Sequence, residues 1–537
     1  MKKFYSLLCA ATLTFGVGMY ATNADAGKPV DSDGDGHKSN VDCNDNDPTV
    51  WDLNTCGECA PEPAGGCGGT PEICTNGIDD DGDTLIDCAD TADCSTDPTC
   101  QTSGNGPEWV VMASNDLGMH CACPGAEYFL LLPPFNTLRA QVIHRDVNNL
   151  QGGTPTVVAD NSIRVEYNIV ENTDASLAAD PYYQGWLAAA PKLFPGYDPA
   201  PGGVITGLAG KGLSGEMDAE PEGWYEAIGI PAFPDVSSNS TSQEKIMTDP
   251  LNGPNRNPYL TGNVKVFDSA TDELLAETNA NVPVAFGGCC GCHLQLTADN
   301  GLEPTPLNSF NLMGQLHERD NGINIAQMDP DGDGTPGPIR CSQCHLDPAM
   351  GESTPPGYTG YPTSSYTFSD VLHRWHVENS TVLTYDPDLA NNCYTCHPGN
   401  GVNCYRGHHT NKTVGRKQDQ HLVWCSDCHG DLNQRVAENQ MAEPWSANTL
   451  PGCTECHSNT GENNVLAAFG GSFLRSMAHK SDTILCSTCH GEPHALNPSS
   501  FSKDNTQNLS LQNDARAIGV CNVCHVGRSD NWGKPSH

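Results

Sequence analysis

Cys393-Tyr394-Thr395-Cys396-His397 is one of seven copies of the pattern Cys-x-x-Cys-His; the others begin at Cys289, Cys341, Cys425, Cys453, Cys486 and Cys521. Residue frequencies alone predict about 0.05 copies in a chain of this size, so the repetition is not accidental. Two cysteines three apart place both sulfurs within reach of the two vinyl groups of one haem, and the next histidine comes under the ring to meet the iron. The thioether positions are then Cys289 and Cys292, Cys341 and Cys344, Cys393 and Cys396, Cys425 and Cys428, Cys453 and Cys456, Cys486 and Cys489, and Cys521 and Cys524. The proximal ligands are His293, His345, His397, His429, His457, His490 and His525. Zinc fits the pattern less well, because a zinc site does not require histidine directly after every second cysteine. A thioredoxin-like dithiol would occur once, at the start of a helix.

Over residues 287–537 the chain resembles the multihaem c-type cytochromes of bacterial respiration. The resemblance implies covalent haems packed closely in a row, with electrons hopping along it. About 36 residues fall to each motif, too few for a separate core around each haem, so the macrocycles are expected to serve as apolar filling. The expected fold there is irregular, with short helices; residues 464–479 carry the clearest helical spacing of apolar side chains. Of the 19 histidines, seven end the motifs. Nine more fall among them and are candidates for the sixth iron position: His317, His373, His376, His408, His409, His421, His479, His494 and His537. His479, seven residues before Cys486, and His421, four before Cys425, are the foremost. Met313, Met328, Met350, Met441 and Met477 are the thioether alternatives. Irons with two imidazoles transfer electrons and have no open position for substrate, so the expectation is an electron carrier without catalytic residues. The alternative is a periplasmic multihaem oxidoreductase acting on nitrite, hydroxylamine or a sulfur oxyanion. A surface adhesion or metal-scavenging protein is a third class, but scaffolding gives no reason for seven cofactors.

Working outward, the chain has 537 residues, 66 acidic against 26 basic, for a formal charge of −40. That field excludes nucleic-acid partners. Met1-Lys2-Lys3, the apolar run from Phe4 to Ala21 and Ala24-Asp25-Ala26 read as a secretory signal over residues 1–26. No later stretch approaches the roughly 18–20 apolar residues of a membrane span. The expected location is therefore the cell exterior or outer surface, with the periplasm as the alternative. The expected partners are other cytochromes or outer-membrane electron conduits, and extracellular acceptors such as metal oxides. Surplus histidines, His537 included, allow a homopolymer in which one subunit ligates the next one's iron.

Residues 27–106 carry eight cysteines, Cys43, Cys56, Cys59, Cys67, Cys74, Cys88, Cys94 and Cys100, and almost no apolar periodicity. They are expected to be held by disulfides and calcium. Asp31, Asp33 and Asp35, with Gly36 and Asp42, meet the twelve-residue spacing of a calcium loop. Asp79, Asp81 and Asp83 form a second acidic cluster. With Asp87-Cys88 and residues 42–48 it resembles the Asp/Cys metal-binding repeats of bacterial surface proteins. Asp329, Asp331 and Asp333 repeat the first half of a calcium loop, but Arg340 stands at its twelfth position. Copper is the competing ion in the N-terminal repeats. Cys121, Cys123, Cys290 and Cys404 complete an even set of twelve cysteines outside signal and motifs. Residues 107–286 show period-two alternation at Val157-Val158 and Ile163–Val170. Val264–Phe267, a turn over 268–273 and Leu274–Ala276 read as strand, turn, strand, so the expectation is a β-sandwich-like domain. Within it, Asn115-Asp116-Leu117-Gly118-Met119-His120-Cys121 resembles a signature of exported multihaem proteins. It reads either as a haem-facing His120 or as a structural turn.

Overall fold

Alternation of side chains builds the strands of the middle region. In β6 (Ile163–Ile169), Ile163, Val165, Tyr167 and Ile169 are buried while the residues between them face outward. β10 (Tyr259–Asp268) and β11 (Leu274–Phe286) form the predicted hairpin, with Lys265 opposite Glu277. The Asp268 carboxylate accepts from the amides of Ala270 and Thr271 and so closes the turn.

The computed structural model describes residues 106–147, 154–236, 256–287, 289–347, 354–379, 390–397, 402, 404–414, 421–430, 432, 434, 453 and 484–526. The signal segment, the Asp/Cys-rich stretch up to residue 105, the expected helix at 464–479, His457, His479 and His537 lie outside them. The described residues form a mixed α/β structure with several β-sheets, one of them curled into a half-barrel, and eight helices.

One five-stranded sheet runs β1 (Trp109–Asn115), β4 (Asn136–His144), β9 (Trp224–Ile230), β8 (Asp218–Glu220), with β5 (Thr156–Val158) also on β4. The other runs β2 (His120–Ala122), β11, β10, β6, β7 (Ser214–Glu216). Every pairing in them is antiparallel except that of β2 with β11. The main core draws Val111, Leu138 and Val142 from the first sheet and Val165, Val264 and Val282 from the second. It is completed by Tyr183, Trp186 and Leu193 of α2 (Pro181–Leu193), which follows α1 (Asp174–Ala179). Asp180 caps α2 through the amides of Tyr182 and Tyr183 and pairs with the buried Arg256 at 2.5 Å.

β1 is buried on both faces. Val111 and Ala113 face the main core, while Val110 and Met112, with Ile143 of β4, pack against Ile518 and Val523. Residues 484–526 are thus laid on the sheet, and polar bonds fix their register. Gln141 Oε1 accepts from the Leu485 amide, the Arg145 guanidinium donates to the Asn522 carbonyl, and Asn281 donates to Asp504.

Helices beyond residue 287 are longer than the polar sequence led us to expect: α3 (Cys289–Asp299), α4 (Pro306–Asn321), α5 (Phe368–Asn379) and α8 (Ser502–Gln512), with the five-residue α6 (Cys425–His429) and α7 (Cys486–His490). Their termini explain them. Thr305 caps α4 with Pro306 at its first position, and Gly322 ends it at φ +75°. Four short strands complete the described set: β3 (Phe129–Leu130), paired with β12 (Ile339–Arg340), and β13 (Thr413–Val414), paired with β14 (His421–Leu422), besides the two large sheets.

Candidate metal centres

Each motif with its full span described opens a helical turn at its first cysteine. The Cys341 carbonyl accepts from the amides of Cys344 (3.2 Å) and His345 (3.0 Å), and the Cys393 and Cys521 carbonyls do the same in their motifs. Cys425 and Cys486 begin α6 and α7, and Cys289 begins α3. On such a turn residues i, i+3 and i+4 share one face, which presents both thiols and the imidazole together. The described thiols are free of disulfides.

Imidazoles then meet imidazoles across the fold. His293 lies 6.3 Å from His376 between ring centroids, His397 lies 6.1 Å from His373, and His429 lies 6.2 Å from His494. The last two pairs are within 15° and 23° of parallel. These gaps fit a single ligated metal. With metal–nitrogen bonds of roughly 2 Å on either side and each ring centre about 1 Å further back, two axial imidazoles sit about 6 Å apart. His317 of α4 is close enough to His345 to push its pKa down.

The second ring nitrogen is engaged in each partner imidazole. Nδ1 of His317 meets the Ile323 carbonyl (2.8 Å), that of His373 the Ser369 carbonyl (2.8 Å), that of His376 the Leu372 carbonyl (2.7 Å), and that of His494 the Leu117 carbonyl (2.6 Å). A carbonyl acceptor fixes the proton on Nδ1 and leaves the Nε2 lone pair for a metal. Burial pushes the pKa of His293, His345, His373, His397 and His494 down, His397 to about 4. These rings are therefore neutral at neutral pH, the form that ligates. The donor set and its spacing fit the group implied by the motifs.

The motifs also neighbour one another in a definite order. Thr297 Oγ1 joins the His293 carbonyl of the first motif to Ser309 of α4, the helix that carries His317 opposite the second. His376 and His373 on α5 face the first and third motifs. Cys393 of the third shares a thiol hydrogen bond with Cys425 of the fourth. Cys453 of the fifth lies near Cys428 of the fourth and shares a thiol hydrogen bond with Cys486 of the sixth. Cys489 and Cys524, of the sixth and seventh, pack against one apolar cluster. Burial and the thiols of the first motif, Cys289 and Cys292, push Cys396 up to about 11, and burial with Cys486 of its own motif pushes Cys489 up to about 11.

Other expected ligands are placed as follows. His408 and His409 lie on a 3-10 turn, and His421 is described as backbone of β14 only. Met313 and Met328 pack with Phe310 in a small apolar cluster, the ordinary role of methionine. His120 binds the Asp116 carboxylate through Nε2 at 2.7 Å. Asp329, Asp331 and Asp333 come together on the surface. Asp329 accepts from the amides of Gly332, Asp333 and Gly334, and Lys192 reaches Asp331 (3.1 Å) and Asp333 (2.8 Å). Arg340 points elsewhere, to Gln343 and over the Phe194 ring. The other two acidic loops lie outside the described residues.

Sequence reasoning missed the carbonyls that orient the imidazoles. Two had a visible signal, since Ser369 and Leu372 each stand four residues before a histidine on one helix. Comparison with protein-family models, with curated proteins and with solved structures returns no match. Among the described residues no helix is long and apolar enough to cross a membrane.

Proposed function

We propose that the chain is an exported heptahaem c-type cytochrome that conducts electrons along a closely packed haem row to extracellular acceptors, metal oxides or partner cytochromes. The observation that carries this reading is the set of imidazole pairs, each spaced for one metal and each uniting a Cys-x-x-Cys-His histidine with one of the nine surplus histidines. When bound, haem iron supplies a one-electron couple whose potential follows its axial ligands and surroundings. The rest is the work of this chain's residues. The motif turns present two thiols and an imidazole on one face. The backbone carbonyls hold the partner rings and raise their basicity. Burial keeps the imidazoles neutral and water away from them.

The electron path follows the motif order: second, first, third, fourth, fifth, sixth, seventh. Entry and exit then lie at the motifs of Cys341 and Cys521. The two large sheets, read as a sandwich, act as the wall against which residues 484–526 are laid. Possession of the signal segment supports export, and the surplus histidines allow a filament of subunits.

The test is haem quantitation with visible and EPR spectra of purified protein. Seven covalent haems, all low-spin, are expected. A high-spin iron with turnover of nitrite or hydroxylamine would shift the reading to an oxidoreductase, and colourless protein would end it.

Calcium at Asp329, Asp331 and Asp333 is the accompanying proposal, and Lys192 is its competitor. Replacing Lys192→Gln removes a cation from the cluster; a unit charge about 4 Å from a divalent ion is worth about 2 kcal/mol in water, so affinity should rise about thirtyfold. Titration calorimetry checks this, and the gain should vanish when Asp331→Asn is added.

A further inference from the structure

The Asn115–Cys121 segment has no part in the motifs, yet it lies against one of their partner imidazoles. Asn115 is fully buried and clamps a turn: its Oδ1 accepts from the amides of Leu117 (3.0 Å) and Gly118 (2.6 Å). Its Nδ2 donates to Asn136 Oδ1 (2.6 Å) and to the Thr137 carbonyl (2.7 Å), which ties the turn to β4. The clamp leaves the Leu117 carbonyl pointing at His494 Nδ1, 2.6 Å away.

Gly118 sits at φ +84°, where a Cβ would meet the His494 amide nitrogen at 3.2 Å and its Cβ at 3.3 Å. Only glycine lets residues 492–494 approach this closely. The Gly118 carbonyl accepts from the buried Arg406 at 2.7 Å. The amides of Arg406 and Gly407 both donate to the His494 carbonyl, each at 2.9 Å. His494 is thus held by its side chain from the turn and by its backbone from 406–407. Its ring faces His429 at 6.2 Å. His120, whose Nε2 is taken by Asp116, is not the imidazole this segment presents.

We infer that the Asn115–Gly118 turn is the positioning element for the distal ligand of the fourth motif: its Leu117 carbonyl fixes the His494 tautomer and aims Nε2 at the iron that His429 would hold. The inference rests on the proposed haem ligation. Asn115 and Gly118 act through Leu117 and His494, so they are positioning residues.

Three variants of the full holoprotein test it: His494→Ala, Asn115→Ala and Gly118→Ala. His494→Ala should take one haem in seven from low spin to high spin and supplies a reference difference spectrum. Asn115→Ala and Gly118→Ala should give that same difference spectrum in part, with the midpoint potential of one haem raised and six unchanged. If either positioning variant folds with all seven haems and differs only in melting temperature, the turn is merely structural and the inference is overturned. A change spread over several haems overturns it as well. If His494→Ala leaves every haem low-spin, the pairing is wrong and the turn's role falls with it. Parent protein without covalent haem is a separate outcome, the failure of the electron-carrier reading itself.

Discussion

On the proposed haem ligation, replacing His373 and His376 together by alanine is expected to leave two of the seven irons without a sixth ligand. Both imidazoles project from α5, three residues apart, toward His397 and His293. One helix therefore closes two adjacent sites, those of the first and third motifs. The helix itself should survive, because its supports lie elsewhere: Thr367 Oγ1 accepts from the Asp370 amide, and Asp370 pairs with Arg374 at 2.8 Å. EPR should show two-sevenths of the iron converted to high spin, and the reduced protein should bind carbon monoxide at those two centres. Each single variant should convert one. Transfer across the first-to-third step should slow by roughly tenfold or more, since about 1.4 kcal/mol added to its barrier suffices. An all-low-spin double variant would show that these imidazoles do not ligate.

Strand positions in the middle region were legible in the sequence because each strand buries one face. The alternation at Ile163, Val165, Tyr167 and Ile169 survives into the structure unchanged. The two-faced burial of β1 was not legible, because its outer cover, Ile518 and Val523, comes from more than four hundred positions away. Helices α4 and α5 were missed for a different reason. The buried face of α4 mixes Phe310 with Ser309 and Gly314, and the buried side chain of α5 is Asp370, so neither presents an unbroken apolar stripe. Thr305, Pro306 and Gly322 were the signals that marked α4.

The residues that meet across the fold were visible in the sequence, but their pairing was not. Every partner imidazole found opposite a motif, His317, His373, His376 and His494, is among the nine surplus histidines. Spacing along the chain did not reveal which serves which. His494 follows the sixth motif yet faces His429 of the fourth, and a pairing of that kind exists only after the chain has folded back. The segment at 115–121 was recognisable as unusual and read either as a haem-facing His120 or as a structural turn; the structure forms the turn. The group that matters there is the Leu117 carbonyl, which carries no side-chain signature.

Chain exported without haem attachment is expected to keep its sheets and lose the order of the motif-bearing segments. The large apolar core is confined almost entirely to residues 111–286, with Val402 as its one buried contribution from beyond them. The described segments past residue 287 have only a four-residue cluster around Phe310, and the patch at Ile518 and Val523, which borrows Val110, Met112 and Ile143 from the sheet. What lies buried among the motifs is instead thiol and imidazole. Desolvating such groups without a metal or thioether costs free energy rather than supplying it. Polar bonds such as Gln141 to Leu485, Asn281 to Asp504 and Lys503 to the Tyr259 carbonyl fix the register of residues 484–526 but each supplies little net free energy against the entropy of ordering those segments. Limited proteolysis of the haem-free full chain should therefore leave a fragment containing residues 109–286, with β-type circular dichroism retained. The regions around Cys289–Asp299, Phe368–Asn379 and Ser502–Gln512 should be cut at least tenfold faster than in the haem-loaded protein, a ratio that corresponds to about 1.4 kcal/mol of local opening free energy. Equal resistance in the two forms would mean that the motif region folds on its own side chains, and the filling role given to the cofactors would be wrong.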